Sequence, residues 1–501
     1  MSLLRKTRFA GAILLTGVLP AQADISPEQA WATWQDLASK MGYTLTAESQ
    51  RREGDRLVLD RVLGSQMSDT AELRAPIAQV VMRDRGDGTV EVTMSPWIEL
   101  SMKVNEPDSE PVDMTMRLDQ AGYVAIISGS PDAPKLDFSA QSMTVSQIPP
   151  KVDGKEVPMT MTVTLAGLKG SAALTPGQTI EASYDLSADT LDAKVDATNP
   201  DDAATMLMTM RMQGLKGMFS GAVPPMMAPN AELPEMLNAG LRGSGSYTTG
   251  PTAFAFNVNG TDGSTQVNGT LSGTTVDVGL TPAGLSYSAG LSGLDVTAQG
   301  DTVPFPDFRV TASEYRLGLT MPMTKSETPS DFAFLMRLAD LTLPEGVWAM
   351  IDPQGRLPRD PATVELDTAG KATLFTDLTS TAAQEPDAEI GQIDALTVNS
   401  LHLRAAGAEL TGTGAFTFDN SDMETIPGMP RPAGSADLKL TGGNTLLDNL
   451  VALGLVPEDQ VMGIRMMLAL FARPGEGPDT LTSKIEMTPE GQILANGQRI
   501  Q

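Results

Sequence analysis

The chain has 501 residues, no cysteine, one histidine and a net charge of −27. An acidic field of that size repels nucleic acid and anionic membrane surfaces. The missing thiols exclude disulfides, cysteine catalysis and thiolate metal sites, and the length calls for two or three domains or one elongated array.

Arg5, Lys6 and Arg8 open the chain, an apolar run follows over Phe9–Leu19, and Ala21-Gln22-Ala23 supplies small residues. That order is the layout of a secretory signal peptide, with cleavage expected after Ala23 and the remainder expected in the periplasm. No later stretch reaches the roughly 18 uninterrupted apolar residues of a membrane span, so no transmembrane segment is expected after cleavage.

Ser26-Pro27-Glu28-Gln29 carries a capping serine, a proline at the first helical position and a glutamine that can answer the cap. Trp31, Trp34, Leu37, Ala38 and Met41 then form one stripe, and Gly42 closes a helix. From there the pattern changes to period two, which alternates side chains between sheet faces. Val90, Val92 and Met94 oppose Thr89, Glu91 and Thr93. Met159, Met161, Val163 and Leu165 oppose Thr160, Thr162 and Thr164. Phe254, Phe256 and Val258 repeat the rhythm, as do Ala436, Leu438 and Leu440 against Asp437 and Lys439. One apolar and one polar face is the signature of antiparallel sheet. Asp87-Gly88 and Asn496-Gly497 read as hairpin turns. Turn signals every 8–12 residues over Leu45–Leu319 give the cadence of a large meander or sandwich.

Phe332–Leu341 reads as a second helix and Glu345–Ile351, opened by Pro344, as a third. Leu446, Leu450 and Leu453 mark a fourth, stopped at Gly454. Pro457, Glu458 and Asp459 start a fifth that carries Val461, Ile464, Leu468 and Phe471. Two stretches echo one another, MTMTVTLAGLKG at Met159–Gly170 and MLMTMRMQGLKG at Met206–Gly217, with a looser AGLSGLDV at Ala289–Val296. They read as recurring strand-then-turn units. The Pro-rich Val223–Pro234 and the polar Thr324–Ser330 divide the chain into a helix and β region over 24–222, a second β region over 223–330, and a region over 331–501 with the middle helices and the final helix pair and hairpin.

Little in the sequence carries chemistry. His402 falls between Leu401 and Leu403, on the polar face of a strand, and reads as a surface residue. No Ser-His-Asp set, metalloprotease helix, Gly-x-Ser-x-Gly elbow, phosphate loop or dinucleotide fingerprint is present. Asp84–Gly88 lacks the ligand register of a calcium loop. Carboxylate pairs are abundant among 62 acidic residues, but the aromatic content of 5% is low for a sugar cleft. A non-enzymatic protein with no cofactor is expected.

The 29 methionines stand out, eight of them within Met206–Met236. Met206, Met208, Met210 and Met212 alternate on one strand face. Thioethers can hold Cu(I), so a methionine-based copper binder is one reading, although the same alternation serves as flexible apolar packing. The stretch Gly217–Met236 is apolar yet rich in glycine and proline, and reads as a loop rather than a strand. Met218, Phe219, Val223, Met226 and Met227 in it are the expected contacts for lipid or another apolar partner.

Three stretches carry a family resemblance: DISPEQAWATWQDLASKMG at Asp24–Gly42, LPEGVWAMIDPQGRLPRDPATVEL at Leu343–Leu366, and Ala436–Ile500 with its helix pair followed by SKIEMTPEGQILANGQRI. Together they resemble the exported alphaproteobacterial family labelled domain of unknown function 2125, which supplies no functional residues. Strand arrays ending in a helix pair and hairpin are more distantly similar to AsmA-like envelope proteins. That similarity implies long curved sheets and a link to lipid movement or outer-membrane assembly. The expectation is a mainly β protein whose large antiparallel sheets form an elongated sandwich or a curved groove with a few peripheral helices. Its expected role is to bind lipid or another apolar envelope component in the periplasm, the alternatives being a scaffold or interaction protein that binds an envelope protein, and the copper binder.

Overall fold

The computed structural model describes residues 24–67, 71–104, 112–149, 151–152, 155–156, 158–199, 202–224, 233–261, 263–386 and 388–500. The expected signal segment, Met226 and Met227 lie outside them. Among the described residues 26 strands form one sheet. Neighbours pair antiparallel and broadly follow chain order, from the edge strand Thr44–Glu53 to the final hairpin. That edge is blunted by Glu48, Arg51, Arg52 and Glu53.

The helices are α1 (Pro27–Lys40), α2 (Leu233–Asn238), α3 (Glu345–Ile351), α4 (Gly443–Ala452) and α5 (Glu458–Phe471). At the start of α1, Ser26 Oγ accepts from Gln29 N at 3.2 Å and Gln29 Oε1 accepts from Ser26 N at 2.9 Å, the reciprocal cap that the sequence predicts. Ala30, Trp31, Leu37 and Ala38 face the sheet. Trp31 meets Trp34 edge to face, with ring centres 6.0 Å apart. The closing hairpin also forms as read: Asn496 at φ 52 and Gly497 at φ 80 join Ile493–Ala495 to Gln498–Arg499.

Phe332–Leu341 is not helical. It lies in the strand Ser330–Leu341, paired with Glu314–Thr320 on one side and Ala362–Ala372 on the other. Phe332, Phe334, Met336 and Leu338 alternate there. Nearly every residue of the segment is apolar, so helical and strand spacings fit equally well, and pairing on two edges decided between them. The stretch Gly217–Met236 is likewise no loop at either end: Leu233–Met236 opens α2, and Gly217–Val223 is strand. The latter completes the 19-residue strand Thr205–Val223, because Phe219 packs between strands whose glycines leave room for its ring. The hydrogen-bonded ladder also runs across residue 330, from Phe308–Pro322 to Ser330–Leu341.

The spacing of turns differs from the sequence reading for one reason. Gly167, Gly214 and Gly293 sit at φ 64, 61 and 60 inside the strands Met159–Thr175, Thr205–Val223 and Gly284–Gly300. Left-handed backbone within a strand bends it and reverses which side chains face inward. Register places these kinks side by side. Gly167 lies beside Asp189, Asp189 beside Gly214, and Gly214 beside the turn at Gly250. Ser272 then lies beside Gly293, Gly293 beside Ser313, and Ser313 beside Asp340 at φ 53. Towards the first edge the line reaches Arg61 at φ 51. The echoing Gly-Leu-Lys-Gly units are therefore mid-strand creases, not strand ends. At four rows a long strand is replaced by two short collinear ones that meet at the crease, such as Arg242–Thr249 and Thr252–Gly260. The sheet is folded along this line into two limbs.

Candidate functional site

The crease decides which face is concave. Just beside it Ala140, Leu168, Ala188, Leu215 and Ala312 are 4–5% exposed, whereas Tyr184, Met208, Val223 and Val278, farther out on the same apolar face, are 41–47% exposed. A dry floor with wet rims describes a trough. The floor cluster of Ala140, Leu168, Ala188 and Leu215 is touched from one limb by Phe138, Leu186 and Tyr247 and from the other by Met143, Leu165, Leu191 and Met212. Both limbs therefore turn their apolar faces toward each other.

Covering is uneven along the trough. Near its first end α1 lies on the strands Thr44–Glu53, Arg56–Met67 and Ala71–Asp84, over the main core of Trp31, Leu59, Val62, Val80, Met82 and Val90. At the far end α4 and α5 pack on Ala408–Asp419 and Thr480–Met487. Between them, among the described residues, the two clusters of buried side chains end with Leu215. Downstream, apolar residues of the inner face such as Tyr315, Val364, Ile393 and Leu403 stay 37–47% exposed.

Aromatic rings lie flat in the trough instead of filling it. A Cβ at Gly170 would collide with the Phe138 ring, one at Gly269 with Phe254, and one at Gly370 with Phe332. Each ring spreads over a glycine of the neighbouring strand. Tyr184 and Phe219 stack at 5.4 Å. Of the residues read as apolar contacts, Phe219 and Val223 line the trough. Met218 does not: it is paired with Asp185 and Ser246 on the opposite, polar face and is 57% exposed there. Tyr184, Val278 and Tyr315 line the trough at period-two positions that the sequence reading did not single out, and Phe254, read there as part of an apolar strand face, joins them. Met206, Met208, Met210 and Met212 share the trough face with Leu191, Ala193 and Val195 on one side and Phe254, Phe256 and Val258 on the other.

The outer face is laced with ion pairs. Arg337 bridges Glu314 at 2.9 Å and also pairs with Glu365. A hydrogen bond from Ser400, with Arg337 beside it, holds the Glu365 carboxyl below its usual range. His402 Nε2 lies 2.8 Å from Glu409 Oε1, on this polar face as expected, at a shallow hollow shared with Asp437, Lys439 and Lys484. Among the described residues no group of three or more His, Asp or Glu side chains could hold a metal ion.

Asp352 is the one buried carboxylate among the described residues, at 1% exposure. Burial works against its charge. It nevertheless accepts from Arg356 N at 3.0 Å, Leu357 N at 2.7 Å and Arg359 Nη1 at 2.7 Å, and these hold its pKa at about 2. Arg359 in turn sits 4.7 Å over the Trp348 ring. The motif WAMIDPQGRLPR is thus a structural knot that ties α3 to the chain after it.

Fold and face together define a class: a cysteine-free, all-antiparallel β protein folded into a one-sided apolar trough. Residues 234–489 match the family described as "Uncharacterized protein conserved in bacteria (DUF2125)", and the chain belongs to that family. The match contains Leu343–Leu366 and most of Ala436–Ile500, while Asp24–Gly42 lies outside it. No curated protein matches the chain. No described helix is long and apolar enough to cross a membrane.

Proposed function

We propose that this chain is a non-enzymatic, exported protein that binds lipid in its trough, with acyl chains laid along the apolar face. One observation carries the reading. Beyond Leu215 the inner face keeps its period-two apolar side chains, yet among the described residues no buried cluster forms over it. Apolar sheet faces are normally covered by a second layer, and extended exposed apolar surface marks a binding site. The flattened rings favour an open trough over a filled sandwich. The basic-then-apolar residues 1–23 support a location outside the cytoplasm.

The absence of native cysteine makes a clean test available. Met208→Cys places a polarity-sensitive fluorophore in the trough, and Thr209→Cys places it on the outer face. Titration with phosphatidylcholine vesicles should blue-shift the label at 208 and leave that at 209 unchanged. Equal responses at both positions, or none, would reject the reading.

A further inference from the structure

Where α1 crosses the sheet near the first end of the trough, it does not seat fully. A cavity of about 220 Å³ remains between Trp34, Leu37 and Met41 of the helix region and Met94, Ile127, Leu136 and Leu174 of the sheet. Its walls are apolar apart from Thr33, Tyr123 and Lys135, and Lys135, paired with Ala173, belongs to the strand positions that alternate to the outer face. Tyr123 also lines it, and its hydroxyl has no hydrogen-bond partner among the described residues; burial raises its pKa. The wall residues Ala172 and Leu174 stand opposite Tyr184 and Ala182 of the next strand, so the cavity opens onto the face that continues as the trough.

We propose that this cavity is the closed end of the trough and takes the methyl-terminal segment of one acyl chain, with α1 as its fixed stop. Three features select that occupant. The apolar lining rejects a phosphate or sugar headgroup, which would lose its water without gaining partners. The volume holds about seven methylene-sized groups, taking about 30 Å³ for a water-sized group, which is too little for a fused-ring lipid. α1 itself forms one wall, so an extended chain arriving along the sheet fits, whereas a partner's helix or strand does not. The inference rests on the trough reading and adds a position, a polarity and a chain-length limit to it.

The test uses intrinsic fluorescence of the full chain and fatty acids brominated either at the methyl end or next to the carboxyl, since bromine quenches indole on contact. The methyl-end probe should quench strongly, the carboxyl-end probe weakly, and Trp34→Phe should remove most of the difference. Ala172→Phe, which fills the cavity, should weaken binding at least tenfold while the circular dichroism spectrum stays unchanged. If that variant misfolds, Leu136→Ala, which enlarges the cavity, should shift the preferred saturated chain to a greater length. Phosphatidylcholine brominated at one chain end serves as a parallel arm. Quenching by it assigns the chain to a phospholipid, and quenching by the free acid alone assigns it to a fatty acid. Tyr123→Phe, which makes the wall more apolar, should tighten binding of the chain end; a large loss would mean that a polar end sits here and would overturn the proposal. Lipid bound along the trough with Trp34 unquenched would overturn the cavity assignment alone. No binding of either probe, with the label at position 208 also silent, would overturn the trough reading itself.

Discussion

Gly214 stands at φ 61 in the middle of a 19-residue strand, and a Cβ built on it meets only Gly250 N at 4.0 Å. Substitution there tests backbone conformation almost alone. Left-handed backbone costs an L residue roughly 1–2 kcal/mol, so Gly214→Ala should lose about 1 kcal/mol in chemical denaturation and Gly214→Val more. A neutral result would mean that the crease is not set by this residue. Arg61 and Asp340 hold the same conformation without glycine. Their outer-face partners compensate, Glu48 for the first, and Arg404 at 2.6 Å and Ser313 at 2.8 Å for the second. That substitution of ion pair for glycine explains why the crease was only partly legible in the sequence: Gly-Leu-Lys-Gly repeats where glycine does the bending and vanishes where a charged residue does. Asp352 makes a separate prediction. Its folded pKa, at about 2, lies below the ordinary 3.8. The stability it contributes is therefore complete above 3.8 and lost as pH falls through about 2. Asp352→Asn should be less stable at pH 7, and its acid unfolding curve should lack that component. An unchanged curve would remove Asp352 from the knot.

At the scale of elements, local signals decided the helices and tertiary pairing decided the ambiguous segment. α1, α3 and α5 announced themselves by caps, prolines and stripes, and α4 by its stripe and its stop at Gly454. Phe332–Leu341, apolar except for Arg337 and Asp340, fits either period, and only the flanking strands, invisible to local reading, settle it. The start of α4 was also hidden, since its cap comes from afar. Asp479, 34 residues later than Thr445, accepts from Asn444 N at 3.2 Å and Thr445 N at 2.8 Å. Asp479→Ala should cost about 1–2 kcal/mol, in line with other lost helix caps, and should speed amide exchange in α4 first. In α5, Gly463 has open space around it, so Gly463→Ala should stabilise by about 0.5–1 kcal/mol; a loss would indicate a packed glycine there.

At the scale of the molecule, alternation in the sequence made the antiparallel sheet and its two faces readable. It did not reveal that one sheet folds back on itself, because that depends on kinks aligning across strands far apart in the chain. Nor did it separate Met218 from Phe219, since the face each side chain takes is fixed by the crease at Gly214. The aligned kinks give a trough with a dry floor, wet rims, α1 over one end and α4–α5 at the other. An open trough tolerates a charge that a packed core would not. Val296→Glu, on the inner face opposite Val310, should shift the melting temperature by only a few degrees while abolishing lipid uptake. In a dry core the same change would leave an unpaired buried charge and unfold the protein. The most direct measurement is organic extraction and mass spectrometry of the full chain purified without detergent from its native cell envelope, beside the Val296→Glu variant. Acyl lipid near one or more molecules per chain in the wild type, and little in the variant, is the predicted result. Wild-type protein that is folded, monomeric and free of lipid would contradict it.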